Sequence, residues 1–152
     1  MLFFVTKLAI ILASIQACVY GAPPTNNLQM RNDDCNGGDI INQSSSGSPL
    51  VSNCQSLADS LQNAAETQVG TEADGFKTSW TLGTCGFSAS TKNVGFANVG
   101  NGNAADLIKA SIAMFAAPNP GQNFVGAKGT MGCQITGLTA EIASVKWAIF
   151  HT

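Results

Sequence analysis

Ile142-Ala143-Ser144-Val145-Lys146-Trp147-Ala148-Ile149-Phe150 alternates throughout its length. Ile142, Ser144, Lys146, Ala148 and Phe150 fall on one side, and Ala143, Val145, Trp147 and Ile149 on the other. A period of two sets successive side chains on opposite faces, which is the signature of a strand. Two upstream stretches read the same way. Val125–Gln134 is a Gly-punctuated strand ending in Cys133, and Trp80–Ala89 is a strand pair or one bent strand. In the latter, Cys85, Phe87 and Ala89 point one way and Thr84, Gly86 and Ser88 the other.

The period changes to 3.6 in two places. A helix is expected from Ser48, with Ser48 capping free N–H groups and Pro49 at the first helical position, where its missing N–H costs nothing. Leu50, Cys54, Leu57, Ala58 and Leu61 form its apolar stripe; Asn53, Ser56, Asp59 and Gln62 lie opposite. A second helix is signalled at Asn103, with Asp106 complementing its free N–H groups. Ala104, Leu107, Ile108, Ile112 and Phe115 are its buried stripe, and Pro118 and Pro120 end it. Helices and strands do not alternate as a doubly wound parallel sheet requires. The reading is α+β: two helices packed on a mainly antiparallel β-sheet.

The ends of the chain differ from this pattern. Met1–Gly21 reads as a secretory signal, with Lys7, the apolar run Leu8–Ala13 and a cleavage site after Gly21 set by Val19 and Gly21; cleavage after Ala17 is the alternative. A membrane span needs about 20 predominantly apolar residues. Ser14, Gln16 and Pro23-Pro24 cut this run short, and Lys146 interrupts the apolar C-terminal stretch. Residues 22–47 look irregular, rich in Asn, Asp, Gly and Ser. The domain division drawn from this is a leader at 1–21, an N-terminal arm at 22–34 and one domain at 35–152. Asn42-Gln43-Ser44 is a glycosylation sequon, making Asn42 a candidate acceptor on an exposed segment.

The 152 residues carry seven Lys+Arg against nine Asp+Glu, a net charge of −2. Loss of Lys7 with the leader makes it −3. Phosphate backbones are bound by clustered Lys and Arg, so nucleic acid is not expected as a partner. Disorder is disfavoured by low net charge and a 45% hydrophobic composition.

Cys18 also departs with the leader, leaving Cys35, Cys54, Cys85 and Cys133. Even parity in an oxidising compartment indicates two disulfides. Zinc is the competing use, but no pair has C-x₂₋₄-C spacing and His151 is the sole histidine. Four cysteines permit three pairings, which sequence alone does not decide. Placement favours Cys54–Cys85, a helix stripe facing a strand face, and Cys35–Cys133, which would tie down the N-terminal segment.

The chain holds little that could do covalent chemistry. His151 has no neighbouring Ser or Cys nucleophile. Asp33-Asp34 and Glu72/Asp74 could in principle serve a glycosidic bond, but lie in polar stretches that read as solvated loops. Gly100-Asn101-Gly102-Asn103-Ala104-Ala105 matches G-x-G-x-x-A and opens a helix. The remaining βαβ unit and its acidic residue about 20 positions on are missing, so it reads as a Gly-rich turn into a helix. No catalytic residue, metal or cofactor is expected.

Five blocks carry a family resemblance. Ser48-Pro49-Leu50-Val51-Ser52-Asn53-Cys54-Gln55 is similar to the S-P-L-V-x-D/N-C-Q signature of the fungal secreted effectors known as necrosis-inducing factors, with their extracellular-protein-2-type domain. Gly83-Thr84-Cys85-Gly86-Phe87 resembles their G-T-C-x-F, and Val99-Gly100-Asn101 through Asp106-Leu107-Ile108 their V-G-N-x-D-I-x-D-L-I. Val125-Gly126-Ala127-Lys128-Gly129-Thr130-Met131-Gly132-Cys133-Gln134 resembles V-G-A-K-G-x-M-x-C-Q, and Val145-Lys146-Trp147 to Phe150 the closing V-x-W-x-I/L-Y/F. The blocks keep family order from about Cys35 to Thr152. Gly86 departs from a usual Ala, and Asn103-Ala104-Ala105 varies the start of the helix.

The resemblance implies a small extracellular fungal protein acting on a plant host, some members being associated with host cell death. It also implies a relation to the killer-toxin α/β sandwich, and transfers no catalytic residue. The expected action is non-enzymatic binding by a monomer to a host membrane protein, receptor or cell-wall component. The alternatives are an antimicrobial toxin against competing microbes or a small secreted hydrolase. Lys128, inside the V-G-A-K-G block, is the candidate target contact; a solvated lysine at a strand end is the bland alternative.

Overall fold

The terminal alternation is the middle strand of a five-stranded sheet. In the computed structural model, which describes residues 35–65, 68–70, 75–91, 97–135 and 138–152, the elements are β1 (Cys35–Asn42), α1 (Val51–Asn63), β2 (Gln68–Gly70), β3 (Lys77–Leu82), β4 (Cys85–Thr91), β5 (Asn98–Gly100), α2 (Asn101–Ser111), β6 (Ala127–Ile135) and β7 (Leu138–His151). A π-helical turn, Ile112–Ala116, continues α2. The sheet order is β1-β6-β7-β4-β3, with every pairing antiparallel. β2 and β5 form a separate two-stranded ribbon. The fold is α+β, with the two helices against one sheet face. The expected leader at 1–21, the arm at 22–34 and Asp33, Asp34, Glu72 and Asp74 lie outside the described residues.

One side of each long strand faces the helices. Ala143, Val145, Trp147 and Ile149 of β7 are buried with Ala127, Met131 and Cys133 of β6 and Cys85, Phe87 and Ala89 of β4. Cys54, Leu57, Ala58 and Leu61 of α1 and Ala104, Ala105, Leu107 and Ile108 of α2 close this layer. Phe87 stacks on Trp147 at 6.0 Å between ring centres, and Trp80 lies 6.1 Å from Phe87 on its other flank. Full burial of a side chain such as Phe87 or Ile108 stabilises the fold by roughly 1.5–3 kcal/mol. Both disulfides belong to this layer. Cys54–Cys85 joins α1 to β4, and Cys35–Cys133 joins β1 to β6, in the pairing that placement favoured.

Several local expectations are corrected. α1 begins at Val51, and Ser48 does not cap it: the Ser48 hydroxyl accepts from the Ser45 N–H at 3.0 Å and donates to the Gln43 carbonyl at 3.3 Å. Pro49 is therefore outside the helix. Leu50, expected on the buried stripe, is exposed, because the chain is still extended there: its N–H donates to the Thr84 hydroxyl and it bridges to Phe124. α2 begins two residues before Asn103, where the Asn103 carboxamide accepts from the Gly100 N–H at 3.3 Å. Ile112 and Phe115 are only half-buried, since the π-helical turn rotates them off the α2 stripe.

Residues 35–42 are not irregular. They form an edge strand in spite of their polar composition, because Ile40 packs on the core and Cys35 is anchored by its disulfide. The short β2 and β5 ribbon had no sequence expectation. Trp80–Ala89 resolves into a hairpin turning at Gly83-Thr84, with Leu82 opposite Cys85.

Candidate functional site

Among the described residues no helix lies on the second face of the sheet. Strand alternation sends Lys128, Thr130, Gly132 and Gln134 of β6 to this face, with Ile142, Ser144, Lys146, Ala148 and Phe150 of β7. β1 adds Asp39, paired with Thr130, and Ile41, paired with Lys128. β4 adds Gly86, Ser88 and Ser90, opposite Phe150, Ala148 and Lys146. Exposure is graded across the face. Lys128, Lys146, Ile41 and Ile142 are open to solvent, whereas Ser88 and Ser90 are buried.

Lys128 pairs with Ala148, and Thr130 with Lys146, so the two lysines are diagonal neighbours on adjacent strands. Diagonal pairs on one sheet face lie within reach of long side chains. The remaining cation with a described side chain outside this face, Lys109, is engaged: its Nζ lies 2.9 Å from Asp59 and also donates to Gln62, tying α2 to α1. Lys128 and Lys146 have no acidic partner among the described residues. A protein of net negative charge therefore presents, among its described residues, two cations without an acidic partner side by side on one sheet face.

Aromatic surface borders these lysines. Phe76, Ser88, Ala148 and Phe150 line a shallow dish of about 240 Å³. Phe76 is 54% exposed, an unusual position for a phenyl ring in a small soluble fold. The Phe150 ring lies over Gly86, where an added Cβ would stand 2.6 Å from its Cζ. The strand alternation is what sets Phe150 on the same side as Lys146 and Ala148.

At the β1 edge, the carboxylate of Asp39 accepts from the Thr130 N–H at 2.7 Å and from the Thr130 hydroxyl. The hydroxyl bond, then the backbone one, hold its pKa below the ordinary carboxylate value. Asp39 is thus a clip between β1 and β6. It is exposed, and its charge is spent on Thr130 and not on the lysines.

A second depression, about 570 Å³, lies at the start of α1 between Leu50, Val51, Gln55, Gln122 and Phe124. None of the described residues that line it is charged. Among the described residues no three His, Cys, Asp or Glu side chains converge as metal ligands would. The four cysteines among the described residues are held in disulfides, so none of these supplies a thiolate. His151 is exposed, its Nδ1 2.9 Å from the Thr152 carbonyl. Gly100–Ala105 is a strand end running into α2, with β5 paired antiparallel to β2 and not part of a parallel βαβ unit. No described helix is long and apolar enough to cross a membrane.

Of the candidate residues, Lys128 stands on the uncovered face and the cysteines lie beneath the helices. Asn42 ends β1, exposed, with its carboxamide oxygen accepting from the Ser44 N–H at 2.8 Å. Lys146, Phe76 and Asp39 were not singled out from sequence. Alternation of β7 had Lys146 and Phe150 on one side, but nothing in the pattern said that side is bare or that β6 runs beside it.

No curated protein matches the chain. A family model does: residues 34–133, about two thirds of the chain, match the one described as "Pathogen effector; putative necrosis-inducing factor". The match spans both disulfides and β1 through most of β6, and β7 completes the same sheet. On that span and this disulfide-braced α+β fold, the chain belongs to the pathogen-effector family of necrosis-inducing factors.

Proposed function

We propose that the protein is a secreted fungal effector that acts on plant host cells by binding, without catalysis, and that the response is host cell death. The observation that carries this reading is the family match over residues 34–133. The reading at the leader and the two disulfides support an extracellular site of action, since such bonds persist in oxidising compartments. The contact surface is the uncovered sheet face, where Lys128 and Lys146 supply charge and Phe76 and Phe150 supply apolar area. Aromatic rings beside unpaired cations suit a protein or wall surface bearing acidic groups.

The partner is a host membrane protein, receptor or cell-wall component, engaged by a monomer. The test is infiltration of leaves with disulfide-bonded protein beginning at Ala22, alongside a Lys128→Ala/Lys146→Ala variant. Tissue collapse with the parent and a clear loss with the folded variant is expected. Absence of any leaf response, combined with growth inhibition of fungi, would move the reading to an antimicrobial toxin. Turnover of a peptide or polysaccharide substrate by the pure protein would overturn the non-catalytic part.

A further inference from the structure

The chain contains two Asn-Gly pairs, Asn36-Gly37 and Asn101-Gly102, and the fold treats them in opposite ways. Asn101 opens α2, is 4% exposed, and donates from Nδ2 to the carbonyls of Leu61 at 2.9 Å and Ala65 at 3.2 Å. Asn36 stands on edge strand β1, is exposed, and its carboxamide makes no hydrogen bond among the described residues. Directly after it the ladder breaks. Asn36 pairs with Gly132 and Asp39 with Thr130, leaving Gly37 and Gly38 outside the register as a bulge. Gly37 has φ +54°, and the position its Cβ would occupy has no atom within 4 Å.

We infer that Asn36-Gly37 is a site of spontaneous deamidation, converting a neutral edge-strand residue to aspartate and isoaspartate. The Gly37 backbone nitrogen attacks Cγ of Asn36, losing its proton to solvent. The Cγ–Nδ2 bond breaks, and the amide nitrogen leaves as ammonia after taking up a proton. The resulting succinimide is opened by water at one carbonyl or the other, giving isoaspartate or aspartate. Water is the sole co-reactant, and nothing is oxidised or reduced.

Three features make the step feasible at residue 36 and block it at 101. The Asn36 side chain is free to rotate onto the following nitrogen. The glycine that must fold back around it has no Cβ to obstruct the approach and already occupies a conformation outside the extended region. The bulge supplies slack, so a five-membered ring, and later the extra backbone carbon of isoaspartate, can be housed between Asn36 and Asp39. The flanks stay fixed: Cys35 is bonded to Cys133 on one side, and Asp39 is clipped to Thr130 on the other. At Asn101 the carboxamide is spent on two carbonyls, and reaction requires the start of α2 to open first. The product gains one negative charge at the end of β1 and keeps its fold.

The experiment ages the native, disulfide-bonded protein at warm, mildly alkaline pH and follows both peptides by mass and by enzymatic isoaspartate labelling. Deamidation at Asn36 should run faster than at Asn101 by about tenfold or more, the factor each 1.4 kcal/mol of opening free energy imposes on Asn101. The ratio should fall toward one in the reduced, denatured chain. An Asn36→Gln variant, altered only at an exposed side chain, should lose the acidic isoform. Equal rates at the two sites in the native protein, no mass gain at Asn36, or an acidic isoform that survives Asn36→Gln would each overturn the assignment.

Discussion

Cys35 and Cys133 stand directly opposite each other in the β1–β6 register, so their disulfide closes a rung of the ladder as well as a loop in the chain. The sequence separation is 98 residues, for which the chain-entropy model gives about 4.7 kcal/mol as an upper estimate. Yet β1 has other attachments: its ladder, Ile40 on the core, and the Asp39 clip. Cys35→Ala should therefore yield a folded protein with a loosened edge strand. Limited proteolysis should then cut ahead of α1, and the thermal midpoint should fall. A variant as protease-resistant as the parent would contradict this.

Cys54–Cys85 is as buried as Cys35–Cys133 but joins a helix to the sheet, where no strand ladder holds the two elements together. Both sulfurs are fully buried where α1 crosses β4, and the loop between them spans 31 residues, worth about 3.7 kcal/mol in the same model. Removing one partner leaves a buried free thiol on the other and frees the first helix from the sheet. Cys54→Ala is expected to abolish accumulation of secreted protein, read by comparing culture supernatants with the Cys35→Ala variant. The shorter loop thus matters more than the longer one, because of where its bond sits.

Asp39 gives the fold an acid dependence whose sign follows from its partners. The Thr130 hydroxyl and N–H donate to the carboxylate, lowering its pKa from the ordinary 3.8. The folded state therefore binds that proton less readily than the unfolded chain does. Its stabilisation is present above the ordinary value and is lost as pH falls through the lowered one. Asp59, lowered by Lys109 and then by Gln55, acts in the same window between α1 and α2. Denaturant midpoints should fall as pH drops below 3.8, with a shallower slope in Asp39→Asn. Both groups are exposed, so the expected change is small.

What was legible in the sequence was periodicity. Ile142–Phe150 lies within β7, the strand expected at Val125–Gln134 is found from Ala127 on, and Cys54, Leu57, Ala58 and Leu61 form the stripe that 3.6 spacing required. Ends were less legible, since Ser48 found partners in Ser45 and Gln43 that no local pattern advertises. β1 was illegible for a physical reason. An edge strand with Asn, Gly and Asp lacks intrinsic strand preference and is held by Cys133 and Thr130, residues 98 and 91 positions from their partners. The candidate face was half legible: Lys128 was identified, but its proximity to Lys146 depends on β6 lying beside β7.

The Asn42 side chain already faces solvent at the end of β1, away from the dish lined by Phe76 and Phe150. A glycan there would add solubility without covering those residues. Asn42→Gln is expected to reduce the apparent mass if the sequon is occupied and to leave the leaf response intact. Loss of the response in a folded, secreted Asn42→Gln protein would place the glycan or the asparagine in the contact surface.

Two glycines on the strands flanking β7, Gly129 of β6 and Gly86 of β4, test how tightly the two sides of the sheet are built. A Cβ on Gly129 would lie 1.9 Å from the Asp39 carbonyl oxygen and 2.8 Å from Cζ2 of Trp147. The first obstacle is backbone of the neighbouring strand, and the second is a ring fixed in the core stack with Phe87. Neither can yield cheaply, so Gly129→Ala should force β1 away from β6. Overpacking of this kind costs about 1–3 kcal/mol and occasionally more. A Cβ on Gly86 would also meet an atom too closely, at 2.6 Å, but that atom is Cζ of Phe150, the far end of a side chain on the uncovered face. Phe150 can swing outward there, and the family resemblance itself has alanine as the usual residue at this position. Gly86→Ala should therefore cost below about 1 kcal/mol and register mainly as a shifted Phe150 ring and a reshaped dish. Equilibrium unfolding of both variants, with ring chemical shifts for the second, separates these outcomes. Equal destabilisation by the two substitutions would mean that the outer face is packed as firmly as the core, and would remove the basis for treating it as an open contact surface.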